Sequence, residues 1–415
     1  MRILFVADAR SPIAQGWINY FIERRHDVHI LSTYPCDAGA FAGAMVYQLP
    51  LAFSGLLAAE ATPHNGAAGQ NRSRWARRLA GLRKGRLAQS VLAARMWAGP
   101  LTLPAAIKRA RGLIRQIAPD VVHAMRIPFE GMLAARAAVE SLPLLVSVWG
   151  NDLTLFASRY PIIARQTRRV LQRADALHCD CRRDLDLAAQ AWGFQNLQNT
   201  IILPTAGGIH SSLFHRGEPN AALMKQLGIA TDAPVIINPR GFRNYVRTDT
   251  FFAALPAVLN KHPRTVFLCV AMQGNPMAER WVEQFGLAES VRLLPQVARD
   301  QMPALFRLAQ VAVSPSLHDG TPNTLLEAMA CGCLPVAGRI ESVCEWIDDG
   351  VNGLLCDATS ADSLAAAMIR ALDDGPLRQA ARERNGRLIA ERAEYQRVMQ
   401  QAEQFYLDMI AGHRC

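Results

Sequence analysis

SPSLHDGTPNTLLEAMACGCLPVAG, residues Ser314 to Gly338, follows the apolar run Val311 to Val313, which reads as the end of a buried strand. A loop of small and polar residues comes next, then LLEAMA at helical spacing, then a second apolar run from Leu334 to Ala337. Strand, loop, helix and strand in that order make a βαβ unit, and such a unit joins parallel strands. Pro322 fits the first helical position, where its missing N–H costs nothing, and Thr321 fits the cap before it. The amides of Asn323, Thr324 and Leu325 would then lack intrahelical partners and lie at the positive end of the helix dipole. That arrangement receives a pyrophosphate.

The same alternation runs along the rest of the chain. Apolar runs at Ile3–Ala7, Val28–Leu31, Val121–His123, Leu144–Val148, Ala176–His178 and Ile201–Leu203 are separated by amphipathic stretches such as Gly16–Arg25 and Ile162–Arg173. A second series has runs at Val235–Asn238, Val266–Val270, Val291–Leu294, Val311–Val313 and Leu334–Ala337. Continuous apolar strands alternating with helices predict parallel sheets covered on both faces, hence α/β architecture with two doubly wound Rossmann-like domains. Glycines and prolines between Pro204 and Asp232 mark the junction. The expected domains are 1–205, 206–390, and a terminal helix over 391–415 that packs back on the first domain. In open parallel sheets ligands bind beyond the strand carboxyl ends, so two such domains facing each other create a cleft. A nicotinamide enzyme would need G-x-G-x-x-G directly after a strand, and neither domain has it.

Composition narrows the class further. The chain has 415 residues, 50% hydrophobic and 19% charged, which excludes disorder and small disulfide scaffolds. Its net charge of +10 is local. Between Ala61 and Pro119 there is no Asp or Glu, while Arg72, Arg74, Arg77, Arg78, Arg83, Lys84, Arg86, Arg95, Lys108, Arg109, Arg111 and Arg115 are all basic. One basic surface, in an insertion over about residues 56–118, is expected, rather than a chain that coats nucleic acid. At the N-terminus Arg2 and Asp8 bracket only five apolar residues, too few for a signal-peptide core. No uncharged apolar run approaches the roughly 18 residues of a membrane span. A cytoplasmic protein with reduced thiols follows as the expectation, and the C-x-C pairs Cys179/Cys181 and Cys331/Cys333 read as buried small residues rather than a metal site.

Asp319 and Glu327 stand eight residues apart, one on the loop and one a turn into the helix. Carboxylates so placed can bracket a phosphate and accept from hydroxyls on either side, the layout of a nucleotide sugar. DGTPNTLLEAMACGCLPVAG resembles the E-x7-E and A-M-A-x-G-x-P-V signature of the family 4 glycosyltransferases, the glycogen-synthase-like retaining enzymes of the GT-B fold, with Asp319 for the first Glu. IESVCEWIDDGVNGLLCD (Ile340–Asp357) and PTAGGIHSSLF (Pro204–Phe214) resemble further family runs.

The resemblance implies that Glu327 holds the ribose hydroxyls and Asp319 those of the donor sugar. Gly320 would permit close approach, and amides from Thr321, Pro322's neighbours Asn323 and Thr324, and Leu325 would meet sugar and phosphate. Arg240 matches the family's diphosphate arginine. The family's following Lys is absent, with Tyr245 near its position, so Arg243 or Arg247 substitutes. In the first domain the resemblance places His123 near the donor sugar, with Met125 two residues on as the alternative position; Gly150 and Asp152 would face the acceptor, with Arg126 and Glu130 as further candidates. Asp152 could equally cap a helix. The family's glycine pair after the first strand is missing, and Ser11 or Gly16 could serve.

A retaining transfer is thus implied, from a nucleotide-sugar donor to a glycan or lipid-linked acceptor, in surface polysaccharide or glycolipid synthesis. No cofactor or metal is expected. The basic insertion, Arg72 to Arg115, suggests peripheral contact with an anionic membrane surface, on the inner face of the plasma membrane, and no nucleic acid. A nucleotide-sugar 2-epimerase of the same fold and a non-catalytic binding protein are the alternatives.

Overall fold

The computed structural model describes residues 1–54, 94–243 and 245–414. Most of the basic insertion, Arg72 to Arg86 included, lies outside the described residues. The chain divides into two units, one of residues 1–180, 184–206 and 399–415, the other of 181–183 and 207–398.

The first unit holds seven strands: β1 (Arg2–Ala7), β2 (Asp27–Ser32), β3 (Met45–Gln48), β4 (Val121–Ala124), β5 (Leu144–Val148), β6 (Ala176–Cys179) and β7 (Thr200–Ile202). All pair in parallel, in the order β3-β2-β1-β4-β5-β6-β7. The helices between them include α1 (Pro12–Glu23), α2 (Leu103–Ile117), α3 (Met132–Ala137), α4 (Pro161–Arg173) and α5 (Arg182–Gln190). Pro12 and Pro161 open α1 and α4 at the position where proline's fixed φ suits a helix start. On α2 the residues Leu103, Ala106, Ile107, Ala110, Ile114 and Ile117 are buried, which is the three-and-four spacing of an amphipathic helix. Its other side exposes Lys108, Arg109, Arg111 and Arg115.

The second unit is a parallel sheet of six strands: β8 (Val235–Asn238), β9 (Val266–Cys269), β10 (Val291–Leu293), β11 (Val311–Ser314), β12 (Leu334–Gly338) and β13 (Leu354–Cys356), ordered β10-β9-β8-β11-β12-β13. Its helices include α6 (Ala221–Gln226), α7 (Thr248–Lys261), α8 (Pro276–Gln284), α9 (Met302–Leu308), α10 (Asn323–Ala330), α11 (Glu341–Cys344), α12 (Ala361–Asp373) and α13 (Gly375–Arg392). Val235 and Ile237 pack in one core and Ile236 in another, so both faces of the sheet are covered. At the entry to this unit Gly208 has φ +94°, and a Cβ there would sit 2.4 Å from the Ala393 carbonyl oxygen. That closeness lets Ile209 N–H donate to Ala393 O at 2.6 Å, while Tyr395 N–H donates to Ile209 O at 3.0 Å. The last helix, α14 (Tyr395–Arg414), belongs from Met399 onward to the first unit.

The strands missing from the sequence reading are β3 and β13. They hold four and three residues at sheet edges, too few to show a period.

One face of the first sheet carries polar side chains with no access to water. Trp17 Nε1–H donates to the Tyr406 hydroxyl at 3.1 Å, and Tyr406 donates to His123 Nδ1. His123 Nε2 meets Ser147 Oγ at 2.7 Å, Ser147 meets His178 Nδ1 at 2.8 Å, and His178 Nε2 meets the Leu203 carbonyl at 2.9 Å. An indole N–H only donates and a carbonyl only accepts, so the two ends fix every direction between them. Both histidines are therefore neutral with hydrogen on Nε2. Burial pushes His123 well below its usual range and His178 down to about 4. This corrects the expectation that His123 meets the donor sugar. It is fully buried, at the third position of β4, and both ring nitrogens are engaged.

Two outcomes follow. Tyr406→Phe strands the His123 acceptor and the Trp17 donor and should lower unfolding stability by about 1–3 kcal/mol in denaturant titration. The histidine pKa values are depressed on folding, so stability is full above about pH 6.5 and falls as pH drops from there toward 4, because only the unfolded chain takes up the protons.

Candidate functional site

In the second unit strand order reverses between β8 and β11, so the loops leaving their carboxyl ends diverge and open a crevice. Two backbone bonds fix those loops together: Arg247 N–H to Pro315 O and Leu317 N–H to Tyr245 O, both 2.9 Å. At the edge of the crevice Gly338 closes β12 against the same loop, where a Cβ would come within 2.4 Å of Ser316 O.

Arg240, 8% exposed, projects from the β8 loop. Its Nη2 pairs with Asp319 and its Nη1 donates to Thr324 Oγ1 at 3.0 Å, which ties the loop after β8 to the loop and first turn that follow β11. Its backbone N–H is held by Asn238 Oδ1 at 3.1 Å. Glu327, one turn into α10, is 5% exposed and accepts from Arg299 Nε at 3.0 Å. Burial raises the Glu327 carboxyl above its usual range, and Arg299 opposes that. Several buried polar atoms at this end of the sheet have no partner among the described residues: Asn238 Nδ2, Arg240 Nε, Arg299 Nη2, Ser316 Oγ and Asn323 Oδ1. Each would cost about 1–3 kcal/mol if left so in a dry core. All five belong to residues at or beyond the carboxyl ends of β8, β10 and β11.

The helix start differs from the expectation. Pro322 is itself the cap residue, with Leu325 and Leu326 N–H both donating to its carbonyl at 2.8 and 3.2 Å. Thr321 does not cap: its hydroxyl accepts from Trp346 Nε1 at 3.3 Å. The Leu325 amide is therefore occupied, and Asn323 and Thr324 are the residues whose position leaves their amides without an intrahelical acceptor. Gly320 is buried in the loop. Arg247 is held by Asp249 through two bonds of 2.8 Å, whereas Arg243 is exposed and its Nη1 donates to the Tyr245 hydroxyl at 2.9 Å.

The first unit has its own reversal, between β1 and β4. Glu130 is 3% exposed, accepts from Thr33 Oγ1 at 2.6 Å, and is pushed up to about 7 by burial, with Thr33 and Arg126 opposing. Asp152 is fully buried. One of its oxygens accepts from Arg126 Nε and Nη2 at 3.0 and 2.9 Å, the other from the Ile127 and Trp149 amides at 3.2 and 3.3 Å. It thus neither caps a helix nor faces a ligand. It orients Arg126, whose side chain is 30% exposed. Gly150 is buried, and its carbonyl accepts from Thr154 at 2.9 Å.

Residues the sequence reading passed over complete this cluster. The Arg10 guanidinium lies 3.6 Å from the Tyr34 ring centre and pairs with Asp8 at 3.0 Å. Arg95 lies 4.6 Å from Tyr34 and 4.4 Å from Phe129. At 5% exposure Arg95 is not part of a basic surface, which corrects its count among the surface charges. Arg10 and Tyr34 sit on short loops with no pattern around them. Arg299 stands 28 residues from its partner.

Cys179, Cys181, Cys331 and Cys333 are buried and form no disulfide among the described residues, and the Cys333 thiol donates to the Phe306 and Ala309 carbonyls at 3.2 and 3.3 Å. Among the described residues Asp180, Cys181 and Asp184 bring ligand-type atoms within 4.8 Å of one another. Two carboxylates with one thiol mix hard and soft donors and match no common metal preference.

Residues 12–205 match the model of the glycosyl transferase 4-like domain, and residues 220–387 that of glycosyl transferases group 1. The chain belongs to the family 4 glycosyltransferases. Its two-domain Rossmann-like GT-B fold is shared with a UDP complex of Anabaena Alr3699/HepE, at TM-score 0.71 and 15% identity over 97% of this chain and 99% of that one. Sucrose-phosphate synthase from Thermosynechococcus elongatus gives TM-score 0.71 and 16% identity over 99% and 100%. A D-inositol 3-phosphate glycosyltransferase of Thermobispora bispora is 27% identical over 42% of each chain. A GDP-mannose-dependent alpha-(1-6)-phosphatidylinositol monomannoside mannosyltransferase of Mycolicibacterium smegmatis is 27% identical over 60% of this chain and 65% of its own. The match thus spans less than half the length of the first curated relatives.

In this family member the Arg240–Asp319 pair is the joint of the second-unit site. Arg240→Ala removes the partner of a largely buried carboxylate and should cost about 3 kcal/mol. Adding Asp319→Ala should recover part of that loss, measured as a coupling energy in a double-mutant cycle by denaturant titration.

Proposed function

We propose that the chain is a retaining glycosyltransferase that moves a sugar from a nucleotide-sugar donor to a glycan or lipid-linked acceptor in surface polysaccharide or glycolipid synthesis. The observation that carries this reading is the set of buried, unpartnered polar atoms around Arg240 and Glu327 at the β8/β11 crevice. In this reading Glu327 accepts from the ribose hydroxyls, and Arg240 with the exposed Arg243 neutralises the diphosphate. Arg247 gives both Nε and Nη2 to Asp249, whereas Arg240 keeps its Nε without a partner among the described residues, so Arg247 is set aside for that role. The amides of Asn323 and Thr324 meet phosphate or sugar, and Asp319, fixed by Arg240, meets the sugar hydroxyls.

The transfer breaks the bond between the anomeric carbon and the phosphate oxygen and forms one to the acceptor oxygen on the same face. The departing phosphate takes the acceptor proton. Negative charge grows on that phosphate as the bond lengthens, and guanidinium groups already fixed in place stabilise it without reorganising. The acceptor belongs to the first unit, at the β1/β4 reversal, where Arg126, Glu130, Arg10 and Tyr34 gather.

A lipid-linked acceptor would bring the protein to a membrane surface. Support comes from the segment leading into α2, where Trp97 and Leu101 are 52% and 75% exposed, followed by the exposed basic side of α2. No helix among the described residues is long and apolar enough to cross a membrane. A relative of similar sequence is named for a phosphatidylinositol mannoside substrate.

Calorimetry with UDP and GDP tests the donor site: Glu327→Ala should weaken the bound nucleotide by about tenfold or more, equivalent to about 1.4 kcal/mol, and unchanged affinity would sink the assignment. The 2′-deoxy analogue of that nucleotide should bind less tightly, because it lacks one of the two hydroxyls. For the membrane, vesicles with anionic lipid should retain the protein at low salt and release it at high salt; failure to retain it removes that part alone.

A further inference from the structure

Arg299 lies in the loop between β10 and α9 and belongs to none of the motifs that mark the nucleotide site. Its Nε donates to Glu327 Oε1 at 3.0 Å, its guanidinium carbon lies 5.5 Å from the Phe214 ring centre, and its Nη2 is buried with no partner among the described residues. The Glu327 side chain is 6% exposed and that of Arg299 38%. We propose that Arg299 is a positioning residue for nucleotide recognition, one that fixes Glu327 as an oriented, ionised carboxylate with its second oxygen left for the ribose hydroxyls and its own Nη2 left as a donor toward the same ligand. The proposal rests on the reading of Glu327 as the ribose ligand.

The physical need is plain. A carboxylate this buried favours its neutral form, and burial does raise the Glu327 carboxyl. A protonated Glu327 offers a donor where two hydroxyls need acceptors. The other groups around the pair do not supply a replacement charge. Cys331, one turn along α10, is a thiol raised to about 12 by burial and hence neutral. Arg307 acts on Cys331 rather than on Glu327. His210, stacked 3.8 Å from Tyr395, is pushed toward its neutral form by burial and by the Arg299 charge itself, with Glu394 opposing. Among the described residues Arg299 is the cation that acts on Glu327.

The test compares wild type, Arg299→Lys, Arg299→Gln and Glu327→Gln by calorimetry over about pH 6 to 9, with whichever of UDP, GDP and ADP binds wild type most tightly. Thermal unfolding checks that each variant is folded. Wild-type affinity should stay level. Arg299→Gln should lose about tenfold near neutral pH and recover part of it as pH rises, because Glu327 then ionises unaided. Arg299→Lys keeps the charge and should lie between the two. Glu327→Gln should be weak at every pH, and adding Arg299→Gln should take away little more. If Arg299→Gln binds within about twofold of wild type with the same pH profile, the positioning role is overturned while a loss in Glu327→Gln keeps the ribose reading. If Glu327→Gln binds like wild type, or no nucleotide binds wild type, the ribose reading itself fails. Should Arg299→Gln not fold, the Arg299→Lys profile decides, since a purely structural role would leave its pH dependence at that of wild type.

Discussion

A parallel sheet covered on both faces has no side on which a polar group can reach water, and that constraint arranges the rest of this molecule. A polar side chain inside such a sheet must find its partner within the layer, or sit at the carboxyl end of a strand where loops leave room for a ligand. The first unit uses the internal solution. His123, Ser147 and His178 lie on three adjacent strands and are closed into one chain from Trp17 to the Leu203 carbonyl. Every donor in it has an acceptor, so burying five polar side chains leaves none stranded. Through Tyr406 the chain includes α14, and the last helix is thereby bound to the first unit by a directional contact as well as an apolar one.

The second unit uses the other solution, and the Arg240–Asp319 pair shows its energetic logic. Pairing two charges in a dry site roughly repays their desolvation, so the pair is weak evidence for stability. What it supplies is order. Arg240 reaches from the β8 loop to the β11 loop and to the first turn of α10, so the three segments that make the crevice share one side chain. The atoms left without partners, Arg240 Nε and Asn238 Nδ2 among them, are held at that end by the same bonds. A ligand that satisfies them gains hydrogen bonds without ordering the loops first, which is the advantage of a preformed site.

How much of this was legible follows from the same constraint. Strands buried on both faces are continuous apolar runs, and Val235–Asn238 and Leu144–Val148 could be read to the residue. β3 and β13 are edge strands of four and three residues, too short for a period to show, and β3 is also partly exposed. That Asp319, Arg240 and Glu327 lie at the carboxyl ends of β8 and β11 was legible because a single strand–loop–helix unit and one loop hold them. His123 was misread because a histidine near a strand end carries no mark of which face it takes. Arg95 looked like one charge of a basic run, yet two aromatic rings take it inside. Arg299 could be found only in three dimensions, since it lies in a loop and its partner on α10, 28 residues away.

Three buried carboxylates show what the number of donors decides. Asp152 receives four hydrogen bonds, two from Arg126 and two from backbone amides, and serves as an anchor. Glu327 receives one charged donor, enough to oppose burial, and keeps an oxygen without a bond to Arg299. Glu130 receives one hydroxyl, from Thr33, and is left near 7, so that at neutral pH it is divided between its two forms. A group poised in that way responds to whatever approaches it: an anion beside Glu130 favours its proton, and a cation removes it. Glu130 is thus a carboxyl whose charge follows its surroundings, whereas Glu327 has a fixed cation, Arg299, in contact with it.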